Sequence, residues 1–147
     1  MYRKILVTLD ASTADESLLP HVAELAKIHG SQLLLIHVAD GWVARNYERL
    51  ELAESDEMKA DRAYLEATAK KLRAEGLNVA TKLALGDPPT QVLKAAESEN
   101  CDLIAMTTHG HRLIGDIFLG NTIERVRHAS HIPLLIVRSA EKPVPFA

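Results

Sequence analysis

Five short apolar runs, separated by segments with helical spacing, restrict the fold of this chain more than any other feature. Each run is shorter than an ordinary helix and almost uniformly apolar, which is typical of strands buried on both faces. The predicted strands cover residues 5–9, 33–38, 79–85, 101–106 and 132–138. Because parallel strands need crossover connections, the alternation predicts an α/β fold, a five-stranded parallel sheet with helices on both faces.

The segments between the strands carry signals for helix starts and ends. Residues 13–16 have the spacing of a capping box, which predicts a helix that ends at Gly30. A second apolar stripe begins at Met58 and ends at Gly76, a third helix opens at two prolines, and residues 117–128 predict a fourth. Pro133 lacks an amide hydrogen, so the fifth strand is predicted to begin at a sheet edge or a bulge.

Length and charge limit the class of protein. The 147 residues predict one domain over 1–140 with a C-terminal tail at 141–147. A formal charge of −3 argues against nucleic-acid and membrane-surface binding. We find no signal peptide and no membrane span, so a cytoplasmic location is expected. The single cysteine, Cys101, heads an apolar run and is predicted to be a small buried residue.

The predicted sheet indicates where a ligand would bind. In open parallel sheets, ligands lie beyond the carboxyl ends of the strands, at the point where the strand order reverses. The candidate segments are therefore 9–12 after the first strand, 38–40 after the second, and the residues from Thr107 onward after the fourth.

The segment after the fourth strand is rich in glycine and in potential positive charge. Gly120 leads into a predicted helix, and free amide groups at a helix start favour an anion such as phosphate. Gly110 lets main-chain amides approach such a group, while His111 and Arg112 add hydrogen-bond donors. The alternative is that these glycines only turn the chain, and spacing alone leaves both interpretations open.

The residues give little support to metal binding or covalent catalysis. His109 and His111, with Asp116, lack the further ligand that a metal site needs, so no metal site is predicted. Ser12 and Asp10 lack a nucleophile-elbow sequence, and Ser12 is better explained as a cap before a helix. We therefore predict no catalytic residues.

Nearly the whole chain resembles the universal stress protein family, through KILVTLDAS, GSQLLLIHV, CDLIAMTTHG and GNTIERVRHASHIPLLIVR. The signature of the family's ATP-binding branch is glycine, two residues, glycine, nine residues, glycine, then serine or threonine. Here Thr107 replaces the first glycine, Gly110 and Gly120 match the others, and Asn121 stands in the hydroxyl position. Asn121 is a favoured helix N-cap with Thr122 beside it, whereas Thr107 adds a side chain where glycine is usual.

The resemblance implies the fold of the adenine nucleotide alpha hydrolase-like proteins and a set of nucleotide contacts. It assigns adenine to the ends of the first two strands, and the ribose and phosphates to the segment after the fourth. Asp10 is expected to accept hydrogen bonds from ribose hydroxyls, or alternatively to cap a helix. The implied contacts are Thr8, Leu9, Asp10, Val38, Met106, Thr107, Gly110, His111, Arg112, Gly120, Asn121 and Thr122.

The same resemblance implies a function and an assembly. It implies a cytosolic stress-response module that binds ATP, with Mg²⁺ possible, or AMP, and changes its contacts with a protein partner. Two alternatives remain, a family member that has lost the nucleotide and acts only through protein contacts, and a slow ATP hydrolase. An apolar edge strand is open to association, and relatives pair through it. A homodimer is therefore expected through Leu134, Leu135, Ile136 and Val137.

Overall fold

A computed structural model describes residues 1–39, 56–108 and 122–139 of the chain. Strands and helices alternate through these ranges, as the apolar pattern predicts. The fourth helix, α4, is helical over 122–129 of the described residues. The other elements are β1 (Lys4–Thr8), α1 (Asp15–His29), β2 (Gln32–Ala39), α2 (Asp56–Ala74), β3 (Asn78–Leu85), α3 (Pro88–Ser98), β4 (Leu103–Thr107) and β5 (Leu134–Val137).

The five strands form one parallel sheet in the order β3-β2-β1-β4-β5. β1 lies at the centre, and Val7 pairs with Leu35 of β2 on one side and with Ala105 of β4 on the other. The predicted parallel sheet is confirmed. Because the chain builds outward from β1 first in one direction and then in the other, the strand order reverses between β1 and β4.

Two apolar layers cover the two faces of the sheet. Ile5 and Val7 of β1 pack with α1 and α2, whereas Leu6, which lies between them, packs with α3 and α4. All three side chains have no exposed surface. Burying one such side chain contributes about 1.5–3 kcal/mol to folding. The central strands are therefore buried on both faces, and the connecting loops start from their carboxyl ends.

Helix α1 begins one residue later than the capping-box pattern predicts. The pattern makes Thr13 the N-cap, but the N-cap is Ala14 and the helix starts at Asp15. Two turns precede it, since the Asp15 amide donates to the Ser12 carbonyl at 3.1 Å and the Glu16 amide donates to the Thr13 carbonyl at 3.1 Å. The predicted helix end is confirmed, because Gly30 is the C-cap with φ 66°.

β5 is an edge strand, which is one of the two positions that Pro133 predicts, but it is shorter than the apolar run. The strand spans Leu134–Val137 instead of 132–138. Pro133 lies before the strand and contributes only its carbonyl, which accepts a hydrogen bond from the Ile104 amide at 3.0 Å. The ladder with β4 starts at the next residue, since Ile104 pairs with Leu134.

Cys101 is buried between α3 and β4, with 5% of its surface exposed. Burial raises the pKa of its thiol to about 11. The prediction of a small buried residue is confirmed. Among the described helices, none combines the length and the apolar character needed to cross a membrane.

Candidate functional site

The carboxyl ends of β1 and β4 lie side by side where the strand order reverses, and we call the region beyond these two ends the β1–β4 crevice. Thr8 ends β1 and Thr107 ends β4. The Thr8 hydroxyl donates to the Ala105 carbonyl at 3.2 Å and so extends the contact between the two strands past their ladder. The structure therefore brings together two of the segments selected from the sequence.

The loop after β1 is held by its own polar groups. The Leu9 amide donates to the Ile36 carbonyl of β2 at 2.8 Å. Asp10 Oδ1 accepts from the Ser12 amide at 3.0 Å and from the Ser12 hydroxyl. The Ser12 hydroxyl accepts in turn from the Ala14 amide at 3.2 Å. Asp10 and Ser12 thus cap the turns before α1.

Asp15 is the feature of this region that the sequence analysis missed. Its carboxylate, 1% exposed, accepts from the Asp10 amide at 3.1 Å, the Ala11 amide at 3.0 Å and the Tyr64 hydroxyl at 2.6 Å. Burial raises the pKa of Asp15 to about 6, while the Tyr64 bond opposes the rise. The pKa of Tyr64 is also raised, first by burial and then by Asp15. An acidic residue in the first turn of a helix ordinarily indicates only a favourable dipole contact, so the sequence held no signal for this network.

His37 links the end of β2 to the loop after β1. Its Nδ1 lies 2.8 Å from the Leu9 carbonyl, and its Nε2 lies 3.3 Å from Asp61 Oδ2 of α2. A carbonyl only accepts, so Nδ1 carries a hydrogen. Burial raises the pKa of Asp61, and His37 partly offsets that rise. Val38, the next residue, is half-buried against the α3 and α4 layer. The end of β2 is thus tied to the loop after β1 through His37.

The two residues of the predicted ribose segment, at the end of β4, face opposite sides of the sheet. Met106 packs in the α3 and α4 layer. Thr107 faces the opposite side by strand alternation, is 4% exposed and pairs with Val137. Thr107 is therefore a buried strand residue. The Thr108 amide donates to the Val137 carbonyl at 3.1 Å, but its buried hydroxyl has no hydrogen-bond partner among the described residues.

The predicted phosphate-binding residues fall mostly outside the described ranges. Thr122 begins the described part of α4 and is 3% exposed. Val126, one turn further along, packs under the sheet with α3 and so directs α4 along that face. The residues outside the described ranges are His109, Gly110, His111, Arg112, Asp116, Gly120 and Asn121. Within the described ranges, no three His, Cys, Asp or Glu side chains form a metal-binding group.

Comparison with known proteins gives the same family from sequence and from structure. Residues 1–138 match the Universal stress protein family. A universal stress protein of Thermus aquaticus is 31% identical over 146 residues, which cover 94% of this chain and 100% of the relative. The solved structure of MJ0577, a universal stress protein of Methanocaldococcus jannaschii, aligns with a TM-score of 0.76 and 30% identity, covering 97% of this chain and 99% of that chain.

Two more distant structures share the fold and contain nucleotides. A universal stress protein from Archaeoglobus fulgidus in complex with dAMP has a TM-score of 0.68 at 19% identity, covering 92% of this chain and 98% of that chain. A universal stress protein in complex with cAMP has a TM-score of 0.69 at 17% identity, covering 95% of this chain and 98% of that chain. At these identities the similarity concerns the fold. From the family match over residues 1–138 and the similarity at 30% identity and above, the chain belongs to the universal stress protein family.

Proposed function

We propose that this protein binds an adenine nucleotide, ATP or AMP, in the β1–β4 crevice, and that occupancy of the crevice changes its contacts with a protein partner in a cytoplasmic stress response. The observation that carries the proposal is the reversal of strand order between β1 and β4, with the Asp10 loop on one side and Thr107 on the other. Parallel sheets bind nucleotides at this position. The dAMP and cAMP complexes of structures with the same fold support an adenine base.

The position of the Thr107 side chain distinguishes two hypotheses. In one the protein binds a nucleotide, and in the other it is a family member that acts only through protein contacts. The Thr107 side chain replaces a glycine of the ATP-binding signature and would block the nucleotide if it projected into the crevice. Its burial at 4% exposure in the β4 ladder argues against that projection.

The nucleotide contacts we propose start from the described residues Thr8, Leu9, Asp10, Val38, Met106, Thr107 and Thr122. The sequence register adds Gly110, His111, Arg112, Gly120 and Asn121 around the phosphates. Any Mg²⁺ would bind mainly through ATP phosphates, since the described residues form no three-ligand acidic or histidine group.

Native mass spectrometry of the purified protein, followed by calorimetric titration with ATP, AMP and cyclic AMP, tests the proposal. We expect either a co-purified adenine nucleotide or saturable binding at one site per chain. GTP is the control, because it differs from ATP only in its base. We expect GTP to bind at least about tenfold more weakly than ATP, a difference of about 1.4 kcal/mol. Absence of binding by every adenine nucleotide would leave the protein-contact alternative.

We also propose that two copies associate through β5. Among the described strands β5 pairs only with β4, so none of them covers its other edge, and Ile136 of β5 is 36% exposed. The opposite edge, β3, carries Lys82, and a charged side chain discourages edge pairing. The contrast between the two edges favours β5 as the associating one.

Ile136→Lys is expected to convert a dimer into a monomer in size-exclusion chromatography with light scattering. The lysine introduces a charge into each copy of the proposed interface, and like charges facing each other oppose pairing. Thr81→Lys at the β3 edge is the matched control and should leave the mass unchanged. A wild-type protein that is monomeric at micromolar concentration would contradict the assembly.

A further inference from the structure

Ala11, in the loop at the β1–β4 crevice, has a backbone conformation that alanine disfavours. Its φ is 60°, and Asn100 is the only other described non-glycine residue with positive φ. Asparagine visits this left-handed region readily, whereas alanine has a Cβ that clashes there and no side-chain hydrogen bond to compensate. Such a conformation persists only where surrounding contacts enforce it. The contacts around Ala11 therefore need an explanation.

The contacts come from one buried carboxylate. Asp15 accepts hydrogen bonds from two successive amides, those of Asp10 at 3.1 Å and Ala11 at 3.0 Å. The two bonds hold two successive peptides, Leu9–Asp10 and Asp10–Ala11. The orientation of the second peptide about the N–Cα bond of Ala11 defines φ of that residue. Asp15 thereby holds both the strained residue and the backbone from which the Asp10 side chain extends.

Tyr64 fixes Asp15 from a distant part of the chain. Its hydroxyl donates to Asp15 Oδ2 at 2.6 Å across a separation of 49 residues. The same Oδ2 accepts from the Ala11 amide, so the phenol restricts the oxygen that supports the strained residue. Helix α2 thus determines the position of a loop to which it contributes no backbone. Neither Asp15 nor Tyr64 belongs to the set of proposed nucleotide contacts.

We propose that Asp15 and Tyr64 are positioning residues that hold the loop after β1, and with it the main chain of Asp10, in its ligand-binding conformation at the β1–β4 crevice. This inference rests on the proposed nucleotide binding. In addition to the residues that touch the ligand, binding would then depend on a buried pair of side chains that acts through the backbone. The inference also predicts that the need for the pair disappears when residue 11 tolerates positive φ without support.

The test compares AMP affinities of Asp15→Asn and Tyr64→Phe with and without Ala11→Gly. Asp15→Asn, which removes one acceptor oxygen, should weaken AMP binding about tenfold, and Tyr64→Phe about fivefold. Glycine adopts positive φ without steric cost. In the Ala11→Gly background, both losses should therefore shrink to less than about twofold. A purely structural role for Asp15 and Tyr64 predicts the same losses in both backgrounds.

A second measurement reads the loop without a ligand. Amide hydrogen exchange by NMR should become faster at Asp10 and Ala11 in Tyr64→Phe, by about tenfold, with no change in the middle of α1. Tyr64→Phe keeps the ring in place, so it carries the comparison if Asp15→Asn folds poorly. Unchanged exchange at these two amides would overturn the proposal.

The outcomes separate this inference from the proposed function. A wild-type protein that binds no adenine nucleotide overturns both. A wild-type protein that binds AMP, with unchanged affinity in Tyr64→Phe and Asp15→Asn, overturns the positioning role alone. The positioning role also fails if the affinities fall but Ala11→Gly restores neither.

Discussion

Replacing Asp15 with alanine is expected to lower the free energy of unfolding by about 3 kcal/mol, because three hydrogen-bond donors lose a buried acceptor. The donors are the amides of Asp10 and Ala11 and the hydroxyl of Tyr64. Each unsatisfied group costs about 1–3 kcal/mol, and water reaching the half-buried loop keeps the amides near the lower value. The midpoint of thermal unfolding should fall by about 10 °C in calorimetry.

Asp56→Ala is the matched control for this substitution. Asp56 also lies in the first turn of a helix, α2, but its side chain is exposed. Its removal should cost only the contact with the helix dipole, about 0.3–1 kcal/mol. Equal losses in the two variants would mean that Asp15 acts through the dipole alone and that the buried network contributes nothing.

The cost of Asp15→Ala should also depend on pH. Burial raises the pKa of Asp15 from its usual 3.8 to about 6, so between these values the folded protein binds a proton that the unfolded chain releases. Stability from this group is therefore present at low pH and is lost as the pH rises through 6. The free energy of unfolding that wild type has in excess of Asp15→Ala should be larger at pH 5 than at pH 7.5 by about 1 kcal/mol. Denaturant titrations at the two pH values measure it.

Gly120→Val is expected to weaken nucleotide binding by at least about 2 kcal/mol, or roughly 30-fold in affinity. The prediction follows from the glycine register of the sequence, since Gly120 lies outside the described residues. A Cβ and two methyl groups would meet phosphate oxygens that approach the main-chain amide, and one charged hydrogen bond would be lost. Calorimetric titration with the tightest-binding adenine nucleotide measures the change.

Gly115→Val is the control for Gly120→Val, because it adds the same side chain in the same segment but outside the signature spacing. The nucleotide affinity of Gly115→Val should stay within about threefold of wild type, a change in binding free energy of less than about 0.7 kcal/mol. Unchanged binding in Gly120→Val would mean that the phosphates lie elsewhere. Equal losses in both variants would mean that the substitutions disturb the segment as a whole.

Much of the fold was predictable because the signals are local. Apolar runs in the chain match all five strands to within about two residues, and Gly30 marks the end of α1. The start of α1 was less predictable, since Ser12, Thr13 and Asp15 are all good caps and turn residues. Only the hydrogen bonds of the folded loop show which of them begins the helix.

The sequence predicted the residues at the strand ends of the candidate site. It did not predict the side-chain pairs that hold the surrounding loop and strand ends in place. Thr8, Asp10 and Thr107 follow from the ends of apolar runs. The pairing of His37 with Asp61, and of Asp15 with Tyr64, joins side chains on different elements. Periodicity describes each element by itself, so it carries no information about such pairs.

The sequence by itself determined which segments become strands and helices, that the sheet is parallel, and that β5 begins at an edge or a bulge. These properties follow from side-chain periodicity and from the missing amide hydrogen of Pro133, which act over a few residues. Only the tertiary structure decided the strand order, the position of the β1–β4 crevice and the burial of Asp15 beneath its loop. The reason is physical: these features depend on which helix packs over which strand, a choice made by the whole core.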